Sequence, residues 1–424
     1  MKYSDIDDYA FGDISVDDII NSSKDNVKIK SKSKILVVGV GGCGGNIVDA
    51  MYNGQAEQKK EAIGFLLCNT DEEALGTKKV PMKVILGARV TRGKGAGGDP
   101  EIGEQAASDS EMQIRSIFSE FKPDMVFITA GMGGGTGTGA AHVIAGIAAD
   151  MGILTVGVFT MPFQHEGARK LEFAKKGLEK AKEFLDGRLI INNEELFHCG
   201  SITKQKAYAK ANAVLIEAAS GIADIILTQF SENIDFRDVE NAIRGQGLIN
   251  IGTAFVSKRT PDTPKNLINS ILTSPLVADN DIYGSKNIIA TVKYGKDGLL
   301  ISEQQAIMNS ISEVTGGKYE MLKFADAYDP AMEDNAIRIT LIATGYTGIE
   351  RAVEEDIAKK GDTDRTKGRI KKIFELTHDT HRIGRHRTES DVDKEDIPAY
   401  KRQKKNITCF VDEGQIEIIE LHEE

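Results

Sequence analysis

Apolar runs of strand length alternate with amphipathic stretches of helix length over residues 34–204. The clearest predicted strands are residues 35–38, 63–68, 124–130, 154–159 and 188–191. This alternation is typical of a parallel sheet with helices packed on both faces. Ligands of such sheets bind at the carboxyl ends of the strands, so we expect the functional residues to lie there.

Residues 205–228 have the apolar spacing of one long central helix. Residues 229–346 then predict a second, smaller α/β domain, with a helix near 236–244 and strands at 253–257, 288–294 and 337–344. The fold class indicated by these patterns is α/β, with a parallel-sheet domain, a central helix and a second α/β domain.

Both ends of the chain lack this pattern. Residues 1–33 predict a disordered N-terminal extension, and residues 347–394 predict a charged linker. A segment that contains apolar residues follows at 395–405. In the final extension, 406–424, residues 407–411 and 415–421 could pair as a hairpin, but nothing in their sequence indicates a role.

The composition is that of a globular protein, with 41% hydrophobic and 28% charged residues among 424. The net charge of −11 argues against a nucleic-acid partner, because non-specific binding of nucleic acid requires basic stripes. Residues 1–25 lack the apolar core of a signal peptide, and no apolar run is long enough to span a bilayer. Four cysteines lie scattered without the spacing of metal ligands, at positions 43, 68, 199 and 409. We therefore expect a cytoplasmic protein without direct membrane insertion.

A glycine-rich run at residues 131–139 joins the predicted strand 124–130 to a predicted helix at 140–150. Such a turn presents backbone N–H groups at the positive end of a helix, which is a cradle for phosphate. Thr136 and Thr138 can add hydroxyl donors. The alternative is a flexible turn without a ligand, but ordering six glycines would then cost backbone entropy that no ligand contact offsets.

Two further glycine-rich loops follow predicted strands, at residues 39–46 and 91–100. The first matches G-x-G-x-x-G, which by itself suggests a dinucleotide-binding domain. Against that alternative, such a domain needs no second phosphate loop, and strand 63–68 ends in the polar trio Asn69, Thr70 and Asp71 rather than in one ribose-binding acid. Ordinary sheet loops would explain any one of the three loops, whereas all three together favour a nucleotide with several phosphates.

The motifs at 39–46 (GVGGCGGN), 69–71 (NTD), 92–103 (RGKGAGGDPEIG) and 131–141 (GMGGGTGTGAA) resemble those of the tubulin/FtsZ superfamily, specifically of bacterial-type FtsZ. The resemblance covers residues 34–346 and resumes near the end of the chain. It implies a Rossmann-variant GTP-binding domain at 34–204 and a GTPase that uses GTP/GDP and Mg²⁺. It also implies head-to-tail filaments at the mid-cell division site.

In this family a loop of one subunit completes the nucleotide site of the next, with the pattern N-x-D-F-x-D-V. The resemblance assigns that catalytic role to Asn233, Asp235 and Asp238. Carboxylates can position and polarise the water that attacks a γ-phosphate. The same spacing also fits an N-terminal helix cap made by Asn233 or Asp235, and the two roles can coexist.

The resemblance also implies the residues that bind the nucleotide, without any metal ligand supplied by the chain. Those proposed to hold the phosphates are Gly42, Cys43, Gly44, Gly45, Asn46, Gly133, Gly134, Gly135, Thr136, Gly137 and Thr138. Asn69, Asp71, Gly97 and Gly98 are also proposed to bind the nucleotide. Those proposed near the ribose and base are Glu166, Lys170, Asn193, Tyr208 and Asn212.

Several positions depart from the family pattern. Ala213 stands where an aspartate is expected to read guanine, so selectivity for guanine is in question. Lys170 replaces an arginine, and Cys43 replaces a glycine, which would cost strain if φ is positive there. Arg237 replaces a small residue. These departures motivate an alternative function: a divergent structural filament protein with weak or base-unselective nucleotide binding and little hydrolysis.

The peptide from Asp396 to Arg402 resembles the family's C-terminal docking peptide. The resemblance implies that it binds membrane-anchor and regulatory division proteins, with Ile397, Pro398 and Tyr400 as apolar anchors. The alternative is an incidental segment of the linker.

Overall fold

The computed structural model describes residues 33–54, 63–193, 213, 216, 219–226, 228, 230–232, 234–272 and 282–346, and the strand segments 407–412 and 415–420. Several predictions concern residues outside these ranges: the extension up to residue 32, the linker 347–394, the peptide from Asp396 to Arg402, Asn233, and the base-proximal Tyr208 and Asn212.

Six parallel strands form the first part of the sheet, in the order β3-β2-β1-β4-β5-β6. They are β1 (Ile35–Val40), β2 (Ile63–Asn69), β3 (Met82–Ile85), β4 (Met125–Gly131), β5 (Leu154–Met161) and β6 (Gly187–Asn192). Every residue of β1 and β2 is buried, as expected for parallel strands covered on both faces. The predicted parallel sheet is confirmed.

Helices cover both faces of these strands. They are α1 (Gly41–Gly54), α2 (Glu72–Gly76), α3 (Ala88–Thr91), α4 (Pro100–Asp109), α5 (Glu111–Phe121), α6 (Gly135–Asp150) and α7 (Ala168–Lys182). Alternate residues of each strand enter different cores: Val37 and Phe65 pack in one cluster, and Leu36 and Leu66 pack in the other. This two-sided core fixes the strands rigidly beneath the loops at their ends.

The sheet continues into the second half of the chain, where its order is β6-β7-β10-β8-β9. Residues 219–226 are helical, followed by α8 (Phe236–Ile243), β7 (Gly247–Val256), α9 (Thr263–Leu272), β8 (Asn287–Tyr294), α10 (Ile301–Thr315), β9 (Met321–Tyr328) and β10 (Ile337–Thr344). Strand β7 runs parallel to β6 and joins it through two residue pairs, whereas β10 runs antiparallel to β7 and β8. The sheet of the second part is therefore continuous with that of the first.

The final residues contain a two-stranded antiparallel hairpin, as the sequence predicted. Strand β11 (Ile407–Asp412) pairs with β12 (Gln415–Glu420). Within the described part of the chain, no helix has the length and apolarity that crossing a membrane requires.

Candidate functional site

A cavity of about 290 Å³ lies at the carboxyl ends of β1, β4 and β5. Both helices that begin in glycine-rich segments, α1 and α6, contribute to its wall. The residues that line it are Val40, Gly42, Cys43, Gly131, Met132, Gly134, Gly135, Thr136, Gly137, Thr160, Pro162, Glu166 and Asn193. The cavity thus lies at the carboxyl-end edge of the sheet, where the sequence predicted the functional residues.

Some glycines at this edge are required by close packing. A Cβ atom on Gly44 would collide with the backbone carbonyl of Thr129 in β4, and one on Gly137 would collide with the carbonyl of Gly131. Gly41 has φ +71°, and a Cβ there would lie 2.9 Å from the Gly137 nitrogen. These contacts hold the starts of α1 and α6 against each other and against the sheet.

Other glycines serve no packing purpose. A Cβ on Gly42, Gly45 or Gly134 would enter open space, with no atom within 4 Å. Gly42 and Gly134 line the cavity, so the missing side chains leave room for a ligand to approach the backbone.

The start of α6 has the properties of an anion site. Its N-cap residue, Gly134, provides no side-chain hydrogen bond to the first turn, and that turn contains no acidic residue. By contrast, α2 and α4 are capped by the carboxylates of Asp71 and Asp99. The first N–H groups of α6 and its positive dipole end are therefore left for a ligand such as phosphate.

The two threonines of the glycine-rich run have different surroundings. The Thr136 hydroxyl lies 2.7 Å from that of Thr70, and Thr136 lines the cavity. The Thr138 hydroxyl is buried and accepts a hydrogen bond from the Gly133 N–H at 2.8 Å. Gly133 has φ +93°, so Thr138 stabilises the turn from inside. Of the two threonines, Thr136 is the one that lines the cavity.

A second cavity of about 240 Å³ lies beside the first and shares Gly42 with it. Gly45, Asn46 and Asn69 also line it, together with a residue that the sequence reading missed, Lys78. The Lys78 ammonium group donates to the Asn46 Oδ1 atom at 2.6 Å. A lysine directly beside the glycine-rich turn adds positive charge where phosphates would lie.

The loop after β3 approaches the loop after β2. The Gly95 N–H donates to the Thr70 carbonyl at 3.0 Å, and Asp71 forms an isolated β-bridge with Lys94. Asp71 also accepts a hydrogen bond from the Ala74 N–H at 2.9 Å, which caps α2. Gly97 and Gly98 have φ +60° and +79°, with open space beside each. These two glycines are therefore required by the backbone conformation of the loop.

Glu166 and Lys170 form an ion pair at one side of the cavity, with 2.9 Å between Nζ and Oε2. Glu166 also accepts the Phe163 N–H at 3.1 Å. Burial raises the pKa of Glu166, but the hydrogen bonds from Lys170 and Phe163 outweigh it and leave that pKa below its usual value. Glu166 is thus a fixed anionic acceptor that lines the cavity.

Asn193 lies at the end of β6 and lines the same cavity. It is 5% exposed, and its Oδ1 atom has no hydrogen-bond partner among the described residues. A buried acceptor left unpaired costs free energy, so this atom indicates a donor supplied by a ligand. The arrangement therefore fits a nucleotide: helix dipoles and open glycines on one side, and Asn193 and Glu166 on the other.

The acidic loop, which carries Asp235 and Asp238 at the start of α8, lies at the opposite edge of the sheet, where the strands begin. Asp235 and Asp238 cap the start of α8 reciprocally: each carboxylate accepts the other residue's backbone N–H at 3.1 Å. A cavity of about 670 Å³ beside Asp235 is lined by Ser33, Asp124 and Ile153, which precede β1, β4 and β5. The helix-cap alternative is confirmed for Asp235, and the carboxylates lie near the amino ends of the strands.

Comparisons with known proteins agree with this geometry. The sequence model for the Tubulin/FtsZ family, GTPase domain, matches residues 34–201. The cell division protein FtsZ of Aquifex aeolicus is 36% identical over 378 residues, covering 88% of this chain and 96% of that protein. The FtsZ of Porphyromonas gingivalis is 39% identical, over 74% of this chain and 67% of that protein. An empty FtsZ dimer from M. jannaschii superposes with a TM-score of 0.65 at 34% identity, covering 74% of this chain and 89% of that one.

The chain belongs to the FtsZ family. As a member of this family it is a GTPase of the filament-forming, cell-division type. The predicted resemblance, fold class and GTPase activity are confirmed, and the alternative of a structural filament protein with little hydrolysis is not favoured.

Two departures from the FtsZ pattern acquire a physical explanation. Cys43 is not among the non-glycine residues with positive φ in the described chain, so it replaces glycine without backbone strain. Burial raises the pKa of its thiol, which lies 3.9 Å from the Thr160 hydroxyl. Cys43 is thus a neutral wall of the cavity.

Ala213 is 3% exposed and packs in the hydrophobic core with Ile216 and Ala219. It does not line either of the cavities at the carboxyl ends of the strands. An aspartate at this position would place a carboxylate in that core. The other two residues predicted near the base, Asn212 and Tyr208, lie outside the described residues.

Proposed function

We propose that subunits assemble head to tail and that GTP bound at the 290 Å³ cavity of one subunit is hydrolysed with Asp235 and Asp238 of the next. The observation that carries this proposal is the placement of the two groups at opposite edges of one sheet. The strands between them have six to eight residues in β1, β4 and β5. A strand of that length separates its ends by roughly 20 Å, so one subunit cannot bring its own carboxylates to its own cavity.

Stacking of identical subunits solves this separation. A head-to-tail contact brings the amino-end edge of one subunit onto the carboxyl-end edge of its neighbour, and such a contact repeats into a filament. The site is complete only between subunits, so hydrolysis depends on assembly.

The nucleotide would be held mainly by backbone groups. The phosphates would lie against the start of α6, with Thr136, and the start of α1, with Gly42. Glu166 and Asn193 offer a charged acceptor and an unpaired amide oxygen for the ribose and base. Mg²⁺ would be held by phosphate oxygens and water and would neutralise phosphate charge. Within the described residues, no group of three or more His, Cys, Asp or Glu side chains is placed to hold a metal ion.

The carboxylates act on the attacking water. Asp235 is exposed, and the side chain of Asp238 is 19% exposed, so both can approach a neighbouring subunit. Their free lone pairs can accept hydrogen bonds from a water and orient it in line with the γ-phosphate. Removal of either carboxylate should stop turnover while leaving nucleotide binding intact.

The cellular setting belongs to the same proposal. Filaments of this chain would form in the cytoplasm at the mid-cell division site. The peptide from Asp396 to Arg402 would bind membrane-anchor and regulatory division proteins. The support is the sequence of that peptide, in which Ile397, Pro398 and Tyr400 follow a long charged linker.

A mixing experiment tests the shared site. Asp238→Ala removes a loop carboxylate, and Gly42→Ala places a methyl group in the phosphate cavity. Each variant alone should release little phosphate from GTP. In copolymers, the intact cavity of the first variant meets the intact loop of the second, so the mixture should release more phosphate than the two samples measured separately.

Sedimentation of the same samples gives the polymer mass, and Glu120→Ala, a charge removed from the exposed face of α5, is the control. ATP in place of GTP tests selectivity. Turnover per subunit that does not change with protein concentration, or a mixture that never exceeds the sum of its parts, would show that each subunit hydrolyses alone.

A further inference from the structure

Strand β9 is the last strand of the described sheet and pairs there with β8 only. Its other edge contacts the segment that leads to the acidic loop. The Ser231 N–H donates to the Asp326 carbonyl at 2.7 Å, and the Ser231 hydroxyl donates to the Asp326 carboxylate at 2.6 Å. The Asp326 N–H in turn donates to the Ser231 hydroxyl at 3.3 Å. Three hydrogen bonds therefore attach one end of this segment to β9.

The other end is attached by an ion pair. The Lys323 ammonium group lies 3.2 Å from the Oδ1 atom of Asp238. The Oδ2 atom of Asp238 accepts the Asp235 N–H at 3.1 Å. Both oxygens of Asp238 are therefore held, one by a side chain of β9 and one by the cap of α8.

Strand β9 is itself well anchored. The Tyr294 hydroxyl of β8 donates to the second oxygen of Asp326 at 2.9 Å. Lys323 and Asp326 are three residues apart on an extended strand, a span of about 10 Å. The segment from Ser231 to Asp238 is thus held at two points on a rigid support.

We propose that Lys323 is a positioning residue for GTP hydrolysis in the neighbouring subunit, because it fixes the carboxylate of Asp238 in the orientation from which that carboxylate reaches the neighbour's water. This inference rests on the proposed function of Asp238. Lys323 itself touches neither nucleotide nor water in this role. It acts together with the attachment of Ser231 to Asp326.

The energetics separate positioning from stability. The side chain of Lys323 is 42% exposed, and an ion pair so open to solvent contributes little to folding. Orientation of a catalytic group is a different matter, since a displacement of about 1 Å can lower a rate by about a hundredfold. Loss of Lys323 should therefore lower turnover and leave the fold, the GTP affinity and the polymer mass unchanged.

The experiment compares full-length wild type with Lys323→Ala, Lys323→Arg and the control Lys318→Ala. Lys318 is an exposed lysine just before β9, so its removal matches the charge change. Three quantities are measured: the GTP dissociation constant below the assembly threshold, the pelleted fraction, and phosphate release per pelleted subunit. Lys323→Ala should release phosphate about tenfold to a hundredfold more slowly per pelleted subunit. Lys323→Arg should recover most of that loss, and Lys318→Ala should behave as wild type.

A double variant assigns the effect to Asp238. The small residual phosphate release of Asp238→Ala, measured over a long incubation, should not fall further when Lys323→Ala is added; a further fall would overturn the inference. Unchanged turnover in Lys323→Ala would also overturn it. Faster turnover in Lys323→Ala would show that the ion pair restrains Asp238, and this result would overturn the inference. A smaller pelleted fraction would show that Lys323 acts at the subunit interface, and this result would overturn it as well.

Should Lys323→Ala fail to fold, Lys323→Gln gives the same comparison, because it keeps the length of the stem without the charge. Failure of the proposed function is distinguishable from all of these results. In that case wild type itself shows turnover per subunit that is flat with concentration, or Asp238→Ala shows normal turnover per pelleted subunit.

Discussion

The hydroxyl groups of Thr70 and Thr136 lie 2.7 Å apart and join the loop after β2 to the first turn of α6. Thr70 is fully buried, whereas Thr136 lines the cavity. The side chain of a residue that lines the cavity is therefore oriented by a buried residue.

Replacement of Thr70 by valine keeps the volume and removes this hydrogen bond. We expect GTP binding to weaken by about 0.5–1.5 kcal/mol, the net contribution of one hydrogen bond, because Thr136 loses its partner. Titration with a fluorescent GTP analogue measures the change. Thr129→Val is the matched control: the buried Thr129 hydroxyl has no hydrogen-bond partner among the described residues, so its removal should leave binding unchanged. Equal losses in the two variants would contradict the role given to Thr70.

Gly42 and Gly44 should respond oppositely to alanine. At Gly44 the methyl group would collide with the Thr129 carbonyl, so Gly44→Ala should be severely destabilised. At Gly42 the methyl group meets no atom within 4 Å, so Gly42→Ala should keep the melting temperature of wild type and lose affinity for GTP. Thermal unfolding and nucleotide titration on both variants make the test. Wild-type affinity in Gly42→Ala would show that the phosphates do not lie against this residue.

Ala213→Asp should not improve selectivity for guanine. The side chain of residue 213 lies in the core with Ile216, and an unpaired carboxylate buried there costs roughly 2–7 kcal/mol or more. We expect a lower melting temperature and an unchanged ratio of GTP to ATP affinity. A stable variant with a higher ratio would place this residue against the base instead. Ala213→Ser is a milder companion with a smaller penalty.

His142 gives the fold a pH dependence. Burial lowers the pKa of His142 below its usual 6.5, although Glu104, 3.4 Å away, acts in the opposite direction. Lys180 also faces this pair and lowers the same pKa. Because the folded state disfavours protonated His142, the unfolded state binds more protons, and stability falls as pH decreases below 6.5 through the lowered pKa.

Urea unfolding at a series of pH values between about 5 and 8 measures this effect. Wild type should lose stability towards the acid end, and His142→Gln should lose less over the same interval. Parallel pH profiles for the two proteins would show that His142 does not titrate in this way. Carboxylates with lowered pKa values, such as Glu104, act at lower pH and do not interfere.

Much of the first part of the fold could be predicted from the sequence because its strands are continuous apolar runs. Strand β3 could not, since its four residues include a lysine and give too short a signal. Strand β9 could not either, because Lys323 and Asp326 interrupt its apolar pattern. Lys323 contacts the acidic loop at Asp238, and Asp326 contacts Ser231 in the segment that leads to it. The polar residues of the strand therefore reflect these contacts rather than the pairing of the strand.

The candidate site was predictable where a motif contains the information. The glycine-rich turns and the acidic loop were identified from their motifs. The starts of the helices were not, since α1 begins at Gly41 and α6 at Gly135, inside the turns. Which glycines are packed and which face open space depends on tertiary contacts that the sequence does not show. Lys78 lies outside any motif, lines the second cavity and contacts Asn46 there. No spacing in the sequence could have indicated that approach.

The placement of the cavity and the acidic loop at opposite edges of one sheet also bears on when each GTP in a filament would be hydrolysed. In the proposed head-to-tail filament every junction would contain one complete site, so a filament would have one fewer complete site than it has subunits. In the proposed filament, the subunit whose cavity faces solvent would have no neighbour to supply Asp235 and Asp238, and its GTP would persist until another subunit arrives. Addition of a subunit at that end would therefore start hydrolysis of the nucleotide that it covers. The two ends of such a filament would differ chemically even though every subunit is the same.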